Sequence, residues 1–347
     1  MNPLRVGIIG LGIGRKHIEG YRTHPGCEVV ALCDLDENRL SNLSDEFRIA
    51  GKYRDTQAMY AEAKLDVVSI CTPNSLHRPL AEEAFAHGCH VLCEKPIATT
   101  AEDGEAMLAA AEAAGKRLGI NFSFRFTAQA AALKARVDAG DLGDIYYGRT
   151  VWTRRRGVPG WGGWFGQKKL AGGGPLIDLG VHRLDLALWL MGYPEPEWVL
   201  GQAWNGITGD AVADTGNKFD VEDFAAGTIR FKTGQMLSIE ASWAANQRQN
   251  ERMETRLFGT RGGLVHENVG EGYDFRAELT CERAGALWDD QLHEPAPVPH
   301  PSMWEFIEAI REDKPHPADG REGLTVQYLL DALYDSAASG EPVKIGG

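Results

Sequence analysis

Three ionisable side chains share one side of an apolar helix that the sequence predicts over Pro175–Met191. Asp178, His182 and Asp185 stand at i, i+4 and i+7, which places them within about 60° of one another around a helix axis. Such a stripe is either the wet face of a surface helix or the lining of a cavity, and Asp185 is equally compatible with anchoring the helix. Because imidazole titrates near neutral pH, His182 is a candidate base for removing a hydroxyl proton.

Two predicted strand ends carry further groups that could act on a substrate. The strand predicted over Asp66–Thr72 runs into Pro73-Asn-Ser-Leu-His77, and the strand predicted over His90–Glu94 runs into Lys95-Pro96. The carboxyl ends of parallel strands are where doubly wound sheets bind ligands. A lysine at such an edge would hydrogen-bond a substrate oxygen and favour a developing alkoxide, although a solvated loop lysine is an equally good interpretation from one sequence.

A glycine-rich turn after the first predicted strand consists of Gly10, Leu11, Gly12, Ile13 and Gly14. Such a turn lets backbone N–H groups and a helix N-terminus approach a pyrophosphate. The third glycine comes one residue early for the G-x-G-x-x-G spacing, which leaves a purely structural turn open. Asp34 ends the next predicted strand, where a carboxylate accepts hydrogen bonds from both ribose hydroxyls and repels a 2′-phosphate. The turn therefore predicts a dinucleotide, and Asp34 predicts NAD rather than NADP.

The elements that must position these groups fall into two parts. Before Asn121, predicted strands alternate with helices; the strands are Leu4–Gly10, Glu28–Asp34, Asp66–Thr72, His90–Glu94 and Arg117–Asn121. Residues 196–281 instead contain strand-like runs with hairpin signals, and two helices are predicted over Pro301–Glu312 and Gly320–Ala338. We predict an α/β Rossmann-type doubly wound parallel sheet as an NAD-binding domain, residues 1–122. An α+β domain with a large, mostly antiparallel open sheet follows over residues 123–347 and serves substrate binding and oligomerisation.

Composition limits the class of partner. The chain has 347 residues, with 36 lysines and arginines against 49 aspartates and glutamates. This acidic balance argues against nucleic acid or an anionic membrane surface as a partner, and no apolar run approaches the ~18 residues of a membrane span. The six cysteines include no C-x-x-C pair, so we expect reduced core thiols in a cytoplasmic protein and predict no metal site.

Four motifs, in this order, resemble the Gfo/Idh/MocA family of nicotinamide-dependent oxidoreductases of sugars and cyclitols. They are Gly10–Gly14 with His17, Thr72-Pro73-Asn74 with His77, Glu94-Lys95-Pro96, and Gly172–Asp185. The resemblance implies a catalytic set that also binds substrate, namely Lys95, Asp178 and His182. It implies a group near the nicotinamide half of the cofactor, namely Thr72, Asn74, His77, Glu94 and Lys95. It further implies a cis Lys95–Pro96 peptide, and it leaves open whether Lys95 or His182 takes the proton.

Aromatic and basic residues gather in the stretch 152–169. Among them, Trp161 and Trp164 are flanked by glycines, and aromatic faces stack on the C–H face of a pyranose or cyclitol. Packing on the core or on another subunit is the alternative. Arg125 comes where the chain crosses between the predicted domains, and the resemblance implies that it lies beside the cofactor or the substrate.

These features predict an NAD-dependent dehydrogenase that oxidises a secondary ring hydroxyl of a monosaccharide, anhydrosugar or inositol by hydride transfer to nicotinamide. Two alternatives stay open: an enzyme that cleaves glycosides through transient oxidation by NAD, and a non-catalytic NAD-bound regulator. The alternating faces of Phe224–Trp243 also predict a homodimer or homotetramer that forms through the sheet of the second domain.

Overall fold

A computed structural model describes residues 2–208, 218–293 and 299–346 of the chain. The contacts divide it into two compact units: residues up to Phe122 with His300–Thr325, and Ser123–Pro299 with residues from Val326 onward. The first boundary coincides with the predicted one, but the segment His300–Thr325 was predicted to lie in the second domain. Residues 209–217, inside the predicted strand-rich stretch 196–281, lie outside the described residues.

The first unit contains a six-stranded sheet in the order β3-β2-β1-β4-β5-β6, and every neighbouring pair is parallel. Its strands are β1 (Leu4–Ile9), β2 (Cys27–Cys33), β3 (Gly51–Tyr53), β4 (Val67–Ile70), β5 (His90–Cys93) and β6 (Leu118–Ile120). The five predicted strands match within two residues at either end, and the fold prediction is confirmed. The strand order reverses between β1 and β4, which is the position where such sheets bind ligands.

Helices connect these strands and cover the sheet. They are α1 (Gly14–Tyr21), α2 (Glu37–Phe47), α3 (Thr56–Ala63), α4 (His77–Ala86) and α5 (Ala101–Ala114). At the start of α5 the Thr100 hydroxyl accepts a hydrogen bond from Asp103 N, and Gly115 ends the helix with a φ of +62°.

The helix Ser302–Arg311 belongs to the first unit because it packs on α1. Its Met303 lies over Gly20, where a Cβ would come within 2.9 Å of the methionine sulfur. Met303, Phe306 and Ile307 join the buried core that surrounds β1 and β2. The sequence did not indicate this packing, because no local residue pattern marks where a chain returns to an earlier sheet.

The second unit contains a nine-stranded sheet in the order β14-β13-β12-β11-β7-β10-β9-β8-β15. Its strands are β7 (Ile145–Arg154), β8 (Pro196–Trp204), β9 (Phe224–Phe231), β10 (Met236–Ser242), β11 (Glu251–Gly259), β12 (Gly262–Asn268), β13 (Phe275–Arg283), β14 (Ala286–Gln291) and β15 (Val343–Lys344). Only β7 and β10 pair in parallel among these described strands. The predicted large, mostly antiparallel sheet is therefore confirmed.

Helices cover one face of this sheet. They are α6 (Ala128–Asp138), the single turn α7 (Lys168–Ala171) and α8 (Val181–Met191). A π-helical turn, Leu176–Gly180, leads directly into α8. A Cβ on Gly180 would lie 3.2 Å from Ala241 Cβ, so this turn packs closely on β10. The long helix Gly320–Ser339 begins in the first unit and ends in the second. Within the described ranges, no helix combines the length and the apolar character that crossing a membrane requires.

Candidate active site

The glycine turn fits the pyrophosphate of a dinucleotide. Gly10 has a φ of +86°, and a Cβ there would lie 2.5 Å from the carbonyl oxygen of Cys71, so only glycine suits this position. A Cβ on Gly14 would lie 3.0 Å from Ile8 Cγ2, which shows close packing of helix on strand, whereas a Cβ on Gly12 would meet nothing within 4 Å. Ile13 caps α1 without a side-chain hydrogen bond. Despite the shortened spacing, Gly10 provides the tight turn and Gly14 the close helix–strand packing of the usual motif, and the space beside Gly12 is open.

The Asp34 carboxylate is fixed beside this turn. Leu11 N donates to its Oδ2 at 2.6 Å and Asp36 N donates to its Oδ1 at 2.8 Å. Arg39, which the sequence analysis did not single out, lies 3.5 Å from Oδ2 of Asp34 and 3.5 Å from Oδ2 of Asp36. A carboxylate held at the end of β2 is suited to two ribose hydroxyls, and the neighbouring guanidinium partly offsets its charge.

The end of β5 carries a buried polar network around Glu94. Its Oε1 pairs with His17 Nε2 at 2.8 Å and accepts from Asn121 Nδ2 at 2.7 Å, while Oε2 accepts from Lys95 N at 3.3 Å. Burial acts to raise the pKa of Glu94, but the bonds from His17 and Asn121 outweigh it, so the pKa lies below its usual value. Glu94 therefore stays ionised and fixes the backbone that carries Lys95. The Lys95–Pro96 peptide is cis, as the resemblance implied.

His77 links the ends of two neighbouring strands. Its ring is fully buried, with Nδ1 2.9 Å from the carbonyl oxygen of Pro96 and Nε2 3.1 Å from that of Thr72. Burial lowers the pKa of His77, against these backbone bonds. Both ring nitrogens thus face the backbone, and direct contact of His77 with the cofactor stays a prediction. The hydroxyl of Thr72 is buried without a hydrogen-bond partner in the described part of the chain, and Asn74 is buried nearby in sequence.

In the second unit, aromatic side chains position Asp178 and His182. The indole Nε1 of Trp243 donates to Asp178 Oδ2 at 3.0 Å. The His182 ring meets Phe124 edge-on with centroids 5.2 Å apart and lies 5.6 Å from the Trp152 ring. Asp178 lies in the π turn Leu176–Gly180 and not in an α-helix, so the α-helix predicted over Pro175–Met191 is observed only from Val181 onward. Such single π turns are frequent at functional sites.

Arg125 forms a buried ion pair with Asp185. Its Nε donates to Asp185 Oδ2 at 2.9 Å, and the two residues are 3% and 0% exposed. The Tyr193 hydroxyl donates to Asp185 Oδ1 at 3.0 Å. Burial raises the pKa of Asp185, and the charge of Arg125 opposes this. Asp185 therefore anchors α8 to the segment before α6, and a role of Arg125 in binding cofactor or substrate stays a prediction.

Arg183, on α8, is also buried, but its neighbours are mainly aromatic. Its guanidinium carbon lies 4.8 Å from the Phe124 ring and 5.7 Å from the Trp152 ring, the two rings that also contact His182. Nη1 lies 3.2 Å from His266 Nδ1. Burial lowers the pKa of Arg183 to about 9. No sequence pattern predicted that Arg183 lies against the same two rings as His182.

The two predicted tryptophans differ in their surroundings. Trp164 stacks on Phe165 with ring centroids 3.9 Å apart, and Phe165 meets Trp243 edge-on at 6.4 Å. Trp161 is 54% exposed and lies 6.4 Å from the Phe219 ring. Trp164 thus joins the aromatic group that reaches Asp178 through Trp243.

The three residues of the proposed catalytic set lie in different units. Lys95 belongs to the first unit and Asp178 and His182 to the second, so their meeting at one substrate stays a prediction.

A parallel sheet with a dinucleotide turn at its switch point, followed by a large open sheet with a histidine and an aspartate on its covering helix, defines a class of nicotinamide-dependent dehydrogenases. Residues 4–122 match the family model described as "Oxidoreductase family, NAD-binding Rossmann fold". Residues 130–265 match the model described as "GFO/IDH/MocA C-terminal domain". The chain belongs to the Gfo/Idh/MocA family, and the prediction from its four motifs is confirmed.

Several relatives are similar over nearly the whole chain. The D-glucoside 3-dehydrogenase of Escherichia coli (strain K12) is 36% identical over 99% of this chain and 98% of the relative. The myo-inositol 2-dehydrogenase of Thermotoga maritima is 28% identical over 99% of this chain and 98% of the relative. The structure of a levoglucosan dehydrogenase with NADH and levoglucosan superimposes with a TM-score of 0.87 at 24% identity, covering 100% of both chains, and so shares the fold. The predicted NAD-binding oxidoreductase of the sugar and inositol dehydrogenase family is confirmed at this level.

Proposed function

We propose that the protein oxidises a secondary ring hydroxyl of a monosaccharide, anhydrosugar or inositol with NAD, using Lys95, Asp178 and His182. The observation that carries this proposal is the pairing of Asp178 with the Trp243 indole at 3.0 Å, on the same segment as a histidine held against two aromatic rings. An ionised carboxylate is an acceptor, and so it can accept a hydrogen bond from a substrate hydroxyl.

The residues of this chain divide the work of alcohol oxidation. When bound, NAD provides the nicotinamide ring that accepts a hydride. His182 takes the hydroxyl proton as the carbinol carbon loses that hydride, because a neutral imidazole is a good base near pH 7. Asp178 holds and orients the substrate hydroxyl. Lys95 donates to the same oxygen, stabilises the developing alkoxide and can share the proton with His182.

A further group of residues would hold the cofactor. The backbone of Gly10, Gly12, Ile13 and Gly14 takes the pyrophosphate, and Asp34 takes the adenosine ribose. The residues that would lie beside the nicotinamide half are Thr72, Asn74, His77, Glu94, Lys95 and Arg125. The preference for NAD over NADP rests on Asp34, whose carboxylate Leu11 N holds at 2.6 Å and which would repel a 2′-phosphate.

The substrate class is best tested with glucosides first, because a relative with 36% identity is named for 3-oxidation of D-glucosides. We infer that Trp161 and Trp164 stack on the sugar ring. The test follows NADH formation across glucosides, hexoses, anhydrosugars, inositols and uronates, with a chromogenic glucoside included so that free aglycone is measured in parallel. The expected result is NADH in proportion to oxidised sugar, with the glycosidic bond intact. Release of aglycone without NADH, or binding of NAD with no turnover across the panel, would contradict the proposal.

We also propose that two copies associate through the open face of the nine-stranded sheet. Leu200, Trp204 and Phe258 are 42%, 48% and 39% exposed, whereas their strand neighbours Val199 and Leu257, on the opposite face, are buried. Apolar side chains on an uncovered sheet face favour pairing with a second sheet. Light scattering of the purified protein should give a dimer or tetramer, and a monomer would contradict this.

We propose a cytoplasmic location for the enzyme, because all six cysteines are free thiols.

A further inference from the structure

One buried carboxylate of the second unit holds the start of the segment that carries Asp178. Glu222 is 8% exposed, and its Oε2 accepts from Gly174 N at 2.8 Å while its Oε1 accepts from Leu176 N at 3.0 Å. The first N–H groups of a helical segment have no partner within that segment. Glu222 supplies the missing acceptors to two of them, immediately at the π turn Leu176–Gly180.

A third hydrogen bond fixes this carboxylate from the other side. The Tyr334 hydroxyl, on the helix Gly320–Ser339, donates to Glu222 Oε1 at 2.9 Å. Gly173 and Gly174, which belong to the motif Gly172–Asp185, leave space for this arrangement. A Cβ on Gly173 would lie 2.1 Å from the Tyr334 hydroxyl, and one on Gly174 would lie 2.1 Å from the carbonyl oxygen of Glu222. The two glycines therefore permit the close approach that lets Glu222 and Tyr334 reach the segment.

Two supports of Asp178 lead back to Glu222 and Asp223. Along the backbone, Gly174 donates its N–H to Glu222 and accepts from Asp178 N with its carbonyl oxygen at 3.1 Å. Through the side chain, Asp178 is held by the Trp243 indole, and Trp243 N donates to the carbonyl oxygen of Asp223 at 3.0 Å. The position of the Asp178 carboxylate thus depends on residues 222 and 223 by two separate routes.

We propose that Glu222, supported by Tyr334, is a positioning residue that sets where the π turn presents Asp178 to the substrate. This inference rests on the proposed function of Asp178. Glu222 contacts neither the hydroxyl nor the cofactor in this account, and it acts only by fixing the backbone of the segment. Displacement of a reacting group by about 1 Å is enough to lower turnover by about 10²-fold.

The first test is Glu222→Gln in the full chain, with kcat and KM measured on a glucoside and the NAD dissociation constant measured by fluorescence. The amide places an N–H₂ group opposite one of the two backbone N–H donors, so one bond is lost and the segment shifts. We expect kcat to fall by about 10- to 100-fold, with the NAD dissociation constant changed less than about twofold because the dinucleotide turn lies in the other unit. Tyr334→Phe, which keeps both backbone bonds, should lower kcat in the same direction but by less than about tenfold.

A double-mutant cycle separates positioning from general damage to the fold. In an Asp178→Asn background, Glu222→Gln should lower kcat by less than about twofold, because the group it positions is already lost. Glu254→Gln is the matched control: it neutralises another buried carboxylate of the same unit, whose partners are Arg252 and Arg256, and should leave kcat unchanged. Equal effects of Glu222→Gln in both backgrounds would overturn the inference. Should Glu222→Gln fail to fold, Tyr334→Phe carries the same cycle.

The two proposals fail in different ways. If the wild type oxidises sugars and both Glu222→Gln and Tyr334→Phe keep wild-type kcat, only the positioning role is wrong. If Asp178→Asn keeps wild-type turnover, the proposed function of Asp178 is wrong and the positioning role falls with it.

Discussion

The two regions that carry the proposed chemistry are built in different ways. Next to Lys95, hydrogen bonds between polar groups fix the structure: Glu94 is bonded to His17, Asn121 and the Lys95 backbone within a buried network. The His182 ring instead contacts aromatic rings, with centroid distances of 5.2 Å to Phe124 and 5.6 Å to Trp152. A buried hydrogen-bonded network fixes both the geometry and the protonation state of its groups, whereas an aromatic environment fixes geometry through ring contacts.

This difference suggests a division of labour. In the first region, the Glu94 carboxylate already has its partners His17, Asn121 and the Lys95 backbone. In the proposed mechanism, the second region supplies His182, the group that changes its protonation state during the reaction. A similar contrast exists inside the second unit, between two buried arginines. Arg125 has a carboxylate partner, whereas Arg183 lies among aromatic rings.

The largest expected effect comes from removing the side chain of Lys95 or of His182, one from each of the two regions. Lys95→Ala and His182→Ala should each lower kcat by about 10²- to 10⁴-fold, the range for a positioned acid–base or oxyanion-stabilising group. The measurement is steady-state turnover at saturating NAD and glucoside. Near-wild-type turnover in either variant would show that the compared regions do not act together.

The two buried arginines of the second unit should differ strongly in their contribution to folding stability. Arg125→Met leaves Asp185 buried without its cation, and breaking such a pair costs about 3–5 kcal/mol. Arg183→Met removes a cation that has aromatic neighbours, so the loss of cation–π contacts is offset by the desolvation that is avoided, and we expect a change within about 1 kcal/mol. Urea unfolding of both variants checks this, and equal losses would contradict it.

Glu94→Gln tests the polar network of the first unit. The folded pKa of Glu94 is depressed, so its ionised form contributes stability that is present above the unfolded pKa near 4.5 and is lost as the pH falls through the folded pKa. At pH 7 the substitution should lower the free energy of unfolding by about 2 kcal/mol, the value for a charged hydrogen bond. The difference from wild type should shrink below pH 4.5. A difference that is constant with pH would rule out this network as its source.

The smallest expected effect concerns the cofactor. Asp34→Ala removes the charge that opposes a 2′-phosphate and releases Arg39, 3.5 Å away, so the ratio of NADP to NAD efficiency should rise by about tenfold or more, since like-charge juxtaposition costs several kcal/mol. Adding Arg39→Ala should reverse part of this gain. A wild type that already uses NADP as well as NAD would contradict the role assigned to Asp34.

Much of the fold was predictable because it rests on local patterns. Alternating apolar runs and helices predicted the parallel sheet, except for β3, whose three residues Gly51-Lys-Tyr53 contain no β-branched residue. The π turn at Asp178 was not predictable, because five residues do not separate a period of 3.6 from a longer one.

The supports of the candidate site were harder to predict than its central residues. Asp178 and His182 stand out as ionisable positions on an apolar helix. Trp243 and Glu222 lie 65 and 48 residues from their partners Asp178 and Gly174, and no spacing rule connects them. The acidic pair Glu222-Asp223 between Val221 and Phe224 was the one available signal, since charges inside an apolar run are rarely buried without partners.

The central claim is that one substrate hydroxyl is held from both regions at once. The most direct measurement is a crystal structure of the protein with NAD and a glucoside that it oxidises. We predict that one hydroxyl oxygen lies within hydrogen-bond distance of Lys95 Nζ, a His182 ring nitrogen and a carboxylate oxygen of Asp178. A sugar bound with its oxidised hydroxyl away from these three side chains would contradict the account.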